Sequence, residues 1–350
     1  MPHTLVTGAN SFVAAHIINE LIATGHSVTG SVRRVSAGED LFNEHPEWKG
    51  KLDFEVVQDY ADQAALDALF QKHQFDHIVH VAAPMPGKPE LSDYDKDFLR
   101  PAVDSNVTIL KSAKANAAGL KSIVITGSIN AITTGAPDDN KAREYTNESW
   151  NDITPEFARE QNNGFYSYCS SKKEAELAVW DFVKTEKPSY SVTLLLPALI
   201  FGPPLQSMTS LKQLNFSVQV VYSYFNGTYD EIPNTHAAAF PSYIDVRDLA
   251  TAHVRALTRP GAANKRFLIG GAMLTSTLIV ETLGGLAEKG VLPELKGRLP
   301  KDTGKDVDVA LPRIHAEEGN EVLQMSFRTP EQTFGDLAKK VLELEKKEGK

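Results

Sequence analysis

The chain has 350 residues, of which 42% are hydrophobic and 23% charged, and its net charge is −9. That composition fits a soluble globular protein with ample core to fold without disulfides. The acidic balance argues against nucleic acid as a partner, since phosphates select a basic face, and no apolar run is long enough to cross a bilayer.

Residues 4–7, 27–32, 52–57, 77–81 and 122–126 are short apolar runs that read as strands buried on both faces. The first begins at once, where a secretory leader would need a longer apolar stretch. The single cysteine, Cys169, forms no internal disulfide, so a reducing, cytoplasmic compartment is expected. Four sequons, at Asn106, Asn147, Asn215 and Asn226, are then coincidental.

Between the first two strands, Val13, Ile17 and Leu21 repeat at helical spacing beside Ala14, Ile18 and Ile22, and Gly25 stops the helix. Asp62 is placed to cap the next helix, and residues 92–117 supply a longer one. This alternation predicts a parallel, doubly wound α/β sheet. The polar stretch 129–163 reads as a long surface excursion, followed by a helix over 167–184 and a strand over 191–196 that ends at Pro197. From 201 to 242 the pattern breaks up and turns aromatic, with Pro203, Pro204, Pro233 and Pro241 as punctuation. Regular structure returns over 243–257 and 266–269. A final helix opens at Thr329-Pro330-Glu331-Gln332, an N-cap with a capping-box glutamine, and carries Phe334, Leu337, Ala338 and Val341 on one face.

Gly8-Ala9-Asn10-Ser11-Phe12-Val13-Ala14 follows the first strand and opens the first helix. A dinucleotide-binding turn has glycine at the first, fourth and seventh of these positions. Here Gly8 is kept, Ala14 is small, and Ser11 replaces the middle glycine that lets backbone approach pyrophosphate. Its N–H remains, and its hydroxyl can cap the helix or donate to a phosphate oxygen, at the cost of a Cβ. Arg33-Arg34 ends the second strand where NAD-selective proteins carry an acid, so a 2′-phosphate and NADPH are favoured over NADH. The alternative is two solvated arginines. Asp59 follows the third strand, either to accept from adenine or as a plain loop aspartate. The fourth strand ends in His80-Val81-Ala82-Ala83, small residues that leave room for a flat cofactor. His77 and His80 face opposite sides of that strand, and no metal site is expected.

Phe165-Tyr166-Ser167-Tyr168-Cys169-Ser170-Ser171-Lys172 puts Tyr168 and Lys172 on one face at the start of a helix. A free phenol titrates near pH ~10, and a neighbouring ammonium favours the phenolate, which suits Tyr168 to protonate a carbonyl oxygen as hydride reaches its carbon. Ser128, after Gly127 at the carboxyl edge of the fifth strand, is placed to hydrogen-bond the same oxygen. Cys169 projects about 100° away from Tyr168, by the ~3.6-residue helical repeat, and reads as structural.

TGANSFVAAHI, VRR, HVAAP, PAVDSNVTILKSA, ITGS, YSYCSSK, LPALIFGPP and YIDVRDLATAH together resemble the extended short-chain dehydrogenase/reductases, particularly fungal methylglyoxal, aldehyde and ketone reductases and plant dihydroflavonol reductases. The resemblance implies a Rossmann-type NADP-binding domain over 1–200, to which 243–269 return, and a smaller substrate lobe from 201–242 and 270–350. It implies a catalytic triad of Ser128, Tyr168 and Lys172. It places Gly8, Phe12 and Val13 on the pyrophosphate, Arg33 on the 2′-phosphate, Asp59 on adenine, and Pro197 and Leu199 beside the nicotinamide. Asn10, Ser11, Arg34, Tyr60, Ala82, Ala83, Thr126 and Lys172 complete the expected NADPH/NADP+ contacts. Met85, Ile129, Asn130, Tyr166, Phe201, Tyr222 and Phe240 are candidates to line a pocket for a small carbonyl substrate. Ser11 and Gly127 depart from the family, which favours glycine and serine there. A fourth-helix asparagine used by some members aligns near Ala102, so Asn106 is given no part in a proton relay. The expected activity is an NADPH-dependent carbonyl reductase, monomeric or homodimeric, with no nucleic-acid or membrane partner. A nucleotide-sugar epimerase or dehydratase and a non-catalytic NADP sensor are the alternatives.

Overall fold

A computed structural model describes residues 1–83, 93–134, 143–233, 242–271, 273–302 and 313–349. Met85 and Phe240 lie outside the described residues.

The amino-terminal half alternates strand and helix: β1 (His3–Thr7), α1 (Phe12–Ala23), β2 (Ser27–Val32), α2 (Val35–Glu44), β3 (Leu52–Val56), α3 (Gln63–Lys72) and β4 (His77–His80). A π-helical turn, Tyr94–Leu99, leads into α4 (Arg100–Asn116) and then β5 (Ser122–Thr126). Asp62 caps α3 as expected, its carboxylate accepting from the N–H groups of Ala64 and Ala65. Next come β6 (Glu144–Tyr145), α5 (Pro155–Gln161), α6 (Gly164–Glu186), β7 (Ser191–Pro197), β8 (Leu199–Phe201) and α7 (Phe216–Ser223). The chain continues through β9 (Tyr243–Asp245), α8 (Val246–Ala256), β10 (Arg266–Ile269), α9 (Ser276–Glu288), β11 (Arg313–Ile314), α10 (Glu317–Val322) and α11 (Pro330–Lys347). α11 carries the expected capping box between Thr329 and Gln332.

Seven strands form one parallel sheet in the order β10-β7-β5-β4-β1-β2-β3. Successive strand residues feed opposite layers, as a period of two requires. Leu5, Ile78, Ile123 and Leu194 pack with α3, α4 and α6 on one face. Val6, Val79, Val124 and Leu195 pack with α1, α2 and α8 on the other. Each such fully buried side chain contributes about 1.5–3 kcal/mol of transfer free energy. A second apolar cluster joins α7, α9 and α11 around Phe225, Leu283, Phe334 and Leu337. Among the described residues no helix is long and apolar enough to cross a membrane.

Two expectations need correction. The described part of 129–163 is not wholly a surface excursion: Ile129, Asn130, Ile132, Tyr145, Asn147, Asn151 and Ile153 are buried, while Glu144, Thr146, Glu148, Asp152 and residues 159–163 are exposed. Its asparagines misled because their amides are satisfied internally; Asn147, for example, accepts from the Leu268 N–H and donates to Glu318. Helix α6 also starts earlier than 167, because Asn163 accepts from the N–H groups of Phe165 and Tyr166. Tyr168 therefore sits in an established second turn rather than at a fraying start.

Candidate active site

β1 and β4 are neighbours in the sheet although not in sequence, and the strand order reverses between them. The crevice at such a switch point, outside the carboxyl ends of the strands, is where α/β sheets bind ligands. A cleft of about 410 Å³ lies here, within the usual range for ligand sites. Gly8, Asn10, Ser11, Arg33, Arg34, Asp59, Tyr60, Ala82 and Ala83 line it, all expected from the sequence. Val81 also lines it, at the strand end expected to leave room for a cofactor, and Ala37, Gln58, Pro101 and Ser105 line it without having been foreseen. Pro101 and Ser105 are one turn apart on α4, a helix with no ligand motif of its own.

Gly8 has φ +65°, and an added Cβ would sit 3.3 Å from the Ala82 Cβ, so the turn needs glycine on two counts. Its N–H donates to the Tyr60 hydroxyl at 3.0 Å, which also meets Ser31 Oγ at 2.7 Å. Tyr60 thus braces the turn from beneath. Ser11 has φ −89°, open to any residue, and its side chain is exposed. Its N–H closes the turn onto the Gly8 carbonyl at 2.9 Å, and its hydroxyl makes no capping bond, contrary to one use considered for it. Phe12 and Val13 turn from the cleft into the two apolar clusters.

Arg33 and Arg34 are exposed on the cleft, and neither forms an ion pair among the described residues. Asp59 accepts from the Ala61 N–H at 2.9 Å while lining the same wall. This donor set suits an anionic dinucleotide: a glycine turn, a helix N-terminus and two guanidinium groups unpaired among the described residues.

A smaller cavity of about 20 Å³, room for roughly one water, adjoins the cleft and shares Ala82, Ala83 and Ser105 with it. Lys172, Thr126, Gly127, His80 and Asn106 border it, so Lys172 stands on the cavity next to the cleft that carries the arginines. Asn106, given no role from the sequence, stands beside Lys172 here. Its signal was one helical turn out of the expected alignment. Thr7 Oγ accepts from the N–H groups of Val81 and Ala82, so its own proton goes to His80 Nδ1. His80 therefore carries its proton on Nε2, which faces Asn106 without a well-formed hydrogen bond. Thr126 is committed elsewhere: the His253 Nδ1–H donates to the Leu249 carbonyl, leaving Nε2 to accept the Thr126 hydroxyl at 2.8 Å.

Lys172 Nζ lies 5.5 Å from the centre of the Tyr168 ring, one turn away on α6. The short helical turn Ile129–Ala131, begun by Ser128, packs against the same helix. Ser128 is nearly buried; its Oγ accepts from the Asn130 N–H at 3.1 Å.

The pocket candidates divide. Ile129 is core, packed with Ile132, Leu196 and Leu268. Phe201 is core too, edge-on to Tyr243 and Phe334. Tyr222 turns its hydroxyl to Glu345, which is also paired with Arg298. These three miss because hydrophobicity and aromatic content do not distinguish a pocket wall from a core. Tyr166 packs half-buried against Phe157, and Asn130 is occupied by Ser128 and Cys169. Pro197 is buried at the end of β7, while half-buried Leu199 joins the second apolar cluster from β8.

The doubly wound sheet, the glycine turn at its switch point and the Tyr/Lys pair on α6 define a nucleotide-dependent short-chain dehydrogenase/reductase. Residues 4–270 match the NAD dependent epimerase/dehydratase family, and the chain belongs to it. The chain is 32% identical over 352 residues to the NADPH-dependent methylglyoxal reductase GRE2 of Saccharomyces cerevisiae, covering 97% of this chain and 98% of that protein. It is 31% identical to the ketoreductase azaE of Aspergillus niger over 97% of both chains. The crystal structure of yeast methylglyoxal/isovaleraldehyde reductase Gre2 complexed with NADPH matches with a TM-score of 0.85 at 30% identity, over 99% of each chain.

Proposed function

We propose that the protein is an NADPH-dependent carbonyl reductase that converts a small ketone or aldehyde to an alcohol. The observation that carries this reading is the cleft at the switch point, whose wall bears Arg33 and Arg34, unpaired among the described residues, and whose adjoining small cavity is bordered by Lys172, 5.5 Å from the Tyr168 ring. Arg33 and Arg34 would hold the 2′-phosphate, and the N–H groups at the start of α1 the pyrophosphate. Bound there, NADPH supplies the hydride.

The protein's own residues handle the oxygen. Ser128 donates a hydrogen bond to the carbonyl, which fixes it and stabilises charge as it develops. Tyr168 gives its phenolic proton to that oxygen, and the Lys172 ammonium stabilises the phenolate left behind. The division into a dinucleotide-binding unit and a substrate lobe belongs to this reading, with the second apolar cluster as the lobe's core. So does a cytoplasmic monomer or homodimer. Epimerases and dehydratases share the family; Arg33 and Arg34, standing where an NAD-selective site carries an acid, favour the reductase.

Tyr168→Phe tests the mechanism. General acid catalysis is worth about 10²–10⁴-fold, so carbonyl-dependent NADPH oxidation should fall by that factor while NADPH still binds. Turnover within a few-fold of the parent enzyme would refute it.

A further inference from the structure

Asn130 joins the two halves of the catalytic pair. Its backbone N–H donates to Ser128 Oγ at 3.1 Å, and its side-chain oxygen faces the Ser128 hydroxyl at 3.3 Å. Its Nδ2 donates to the sulfur of Cys169 at 3.4 Å, and Cys169 adjoins Tyr168 on α6. Asn151 closes the arrangement by donating from one side-chain nitrogen to the backbone carbonyls of both Asn130 and Cys169. Asn151 is itself held, its side-chain oxygen accepting from Ile153 N–H and its backbone N–H donating to Ala131. Asn130, Cys169 and Asn151 are at most 6% exposed, so water does not compete for these bonds.

We propose that Asn130, gripped by Cys169 and Asn151, is a positioning residue that sets the Ser128 hydroxyl relative to Tyr168. The inference rests on the reading of Ser128 and Tyr168 as the groups that meet the carbonyl oxygen. The Asn130 N–H holds Oγ in place and polarises its hydroxyl as a donor. The weaker bond to Asn130 Oδ1 is the resting partner of the hydroxyl proton, exchanged for the substrate oxygen on binding. Cys169 orients the amide so that oxygen, not nitrogen, faces Ser128. Burial pushes the Cys169 thiol up to about 12, so it remains a neutral partner at working pH.

The test compares the full chain with Asn130→Ala, Cys169→Ala, Cys169→Ser and Tyr168→Phe. The readouts are kcat and KM for a carbonyl substrate, NADPH Kd by fluorescence, and the urea midpoint. Asn130→Ala removes the Oδ1 that orients the Ser128 proton before substrate binds and the Nδ2 tie to Cys169 that fixes the Asn130 backbone N–H on Oγ, and it lowers kcat about tenfold with NADPH Kd within about twofold. Cys169→Ala lowers kcat about threefold, and Cys169→Ser recovers it because a hydroxyl still accepts. The Asn130→Ala/Cys169→Ala double variant is no slower than Asn130→Ala. An Asn130→Ala enzyme with parental kcat, while Tyr168→Phe is inactive, overturns the positioning role and leaves the mechanism standing. A kcat loss that merely follows NADPH Kd or the urea midpoint overturns it too. Should Asn130→Ala not fold, equal kcat values for Cys169→Ala and Cys169→Ser overturn it. A fully active Tyr168→Phe removes the mechanism and this inference together.

Discussion

Arg33 and Arg34 face the cleft without a carboxylate partner among the described residues, which suits their charge to a ligand phosphate. A charge-assisted hydrogen bond contributes about 1.5–3 kcal/mol, equivalent to roughly 10–100-fold in affinity. Arg33→Ala should raise the KM for NADPH by that factor and leave NADH utilisation nearly unchanged. Equal losses with both cofactors would show that Arg33 does not meet the 2′-phosphate. Ser11 calls for a different expectation, because its exposed side chain makes no cap and its φ needs no glycine. Ser11→Gly therefore shifts NADPH Kd by only a few-fold, since no side-chain capping bond is lost and the turn's backbone needs no change there. Fluorescence titration checks this, and loss of measurable binding would contradict it. Local motifs made the positions of Gly8, Arg33, Tyr168 and Lys172 legible in the sequence, because each position is set by strand ends and helical spacing. Pro101 and Ser105 of the cleft and Asn106 of the adjoining cavity were not legible, because only the packing of α4 against the sheet brings them there.

The elements show the same division between local signals and packing. β1, β2, β4 and β5 were legible because double-sided burial leaves continuous apolar runs, whereas β3, at the sheet edge, exposes Asp53 and Val56 against the expected two-sided burial, and α2 was not read from the sequence. The described part of 129–163 was misjudged in part because polar composition does not reveal which amides are buried and paired. Its segment around Trp150 packs on the Arg266 guanidinium, which also grips buried Glu176 of α6 at 2.6 Å. At the edge of β5, Gly127 leaves no room for a side chain: an added Cβ would lie 2.5 Å from a Leu196 methyl and 3.2 Å from the Leu195 carbonyl. This is the physical reason a serine does not stand at Gly127. Gly127→Ala should destabilise the fold by about 1–3 kcal/mol through overpacking and, by displacing Ser128, lower kcat. An unchanged urea midpoint would show that the edge can yield.

At the scale of the molecule, neutral buried histidines link the layers. The His16 Nε2–H donates to the Pro203 carbonyl, tying α1 to the loop after β8. The Ser122 hydroxyl donates to Leu257, so the His77 Nδ1–H donates to Ser122 and joins β4 to β5. His253 joins α8 to the end of β5 through Thr126, and His80 takes its proton bond from Thr7. Burial lowers His16, His77 and His253 to about 4 and His80 to about 3. A histidine depressed in the folded state protonates first in the unfolded chain, so acid favours unfolding below the ordinary value near ~6.5. Their stabilisation is present at neutral pH, fades as pH falls below about 6.5 and levels off near 4, where these side chains protonate in the fold as well. Carboxylates such as Asp76, held low by Lys121 and the His3 N–H, add their own loss only at more acid pH. By pH ~5.5 each of the four histidines costs about 1 kcal/mol relative to pH ~7. The urea midpoint should therefore decline steeply between pH ~6.5 and ~4.5, before the carboxylates titrate. His253→Gln should show a shallower decline by about one proton. A midpoint flat across that window would mean that these histidines charge within the fold, and that the joints they make do not depend on neutrality.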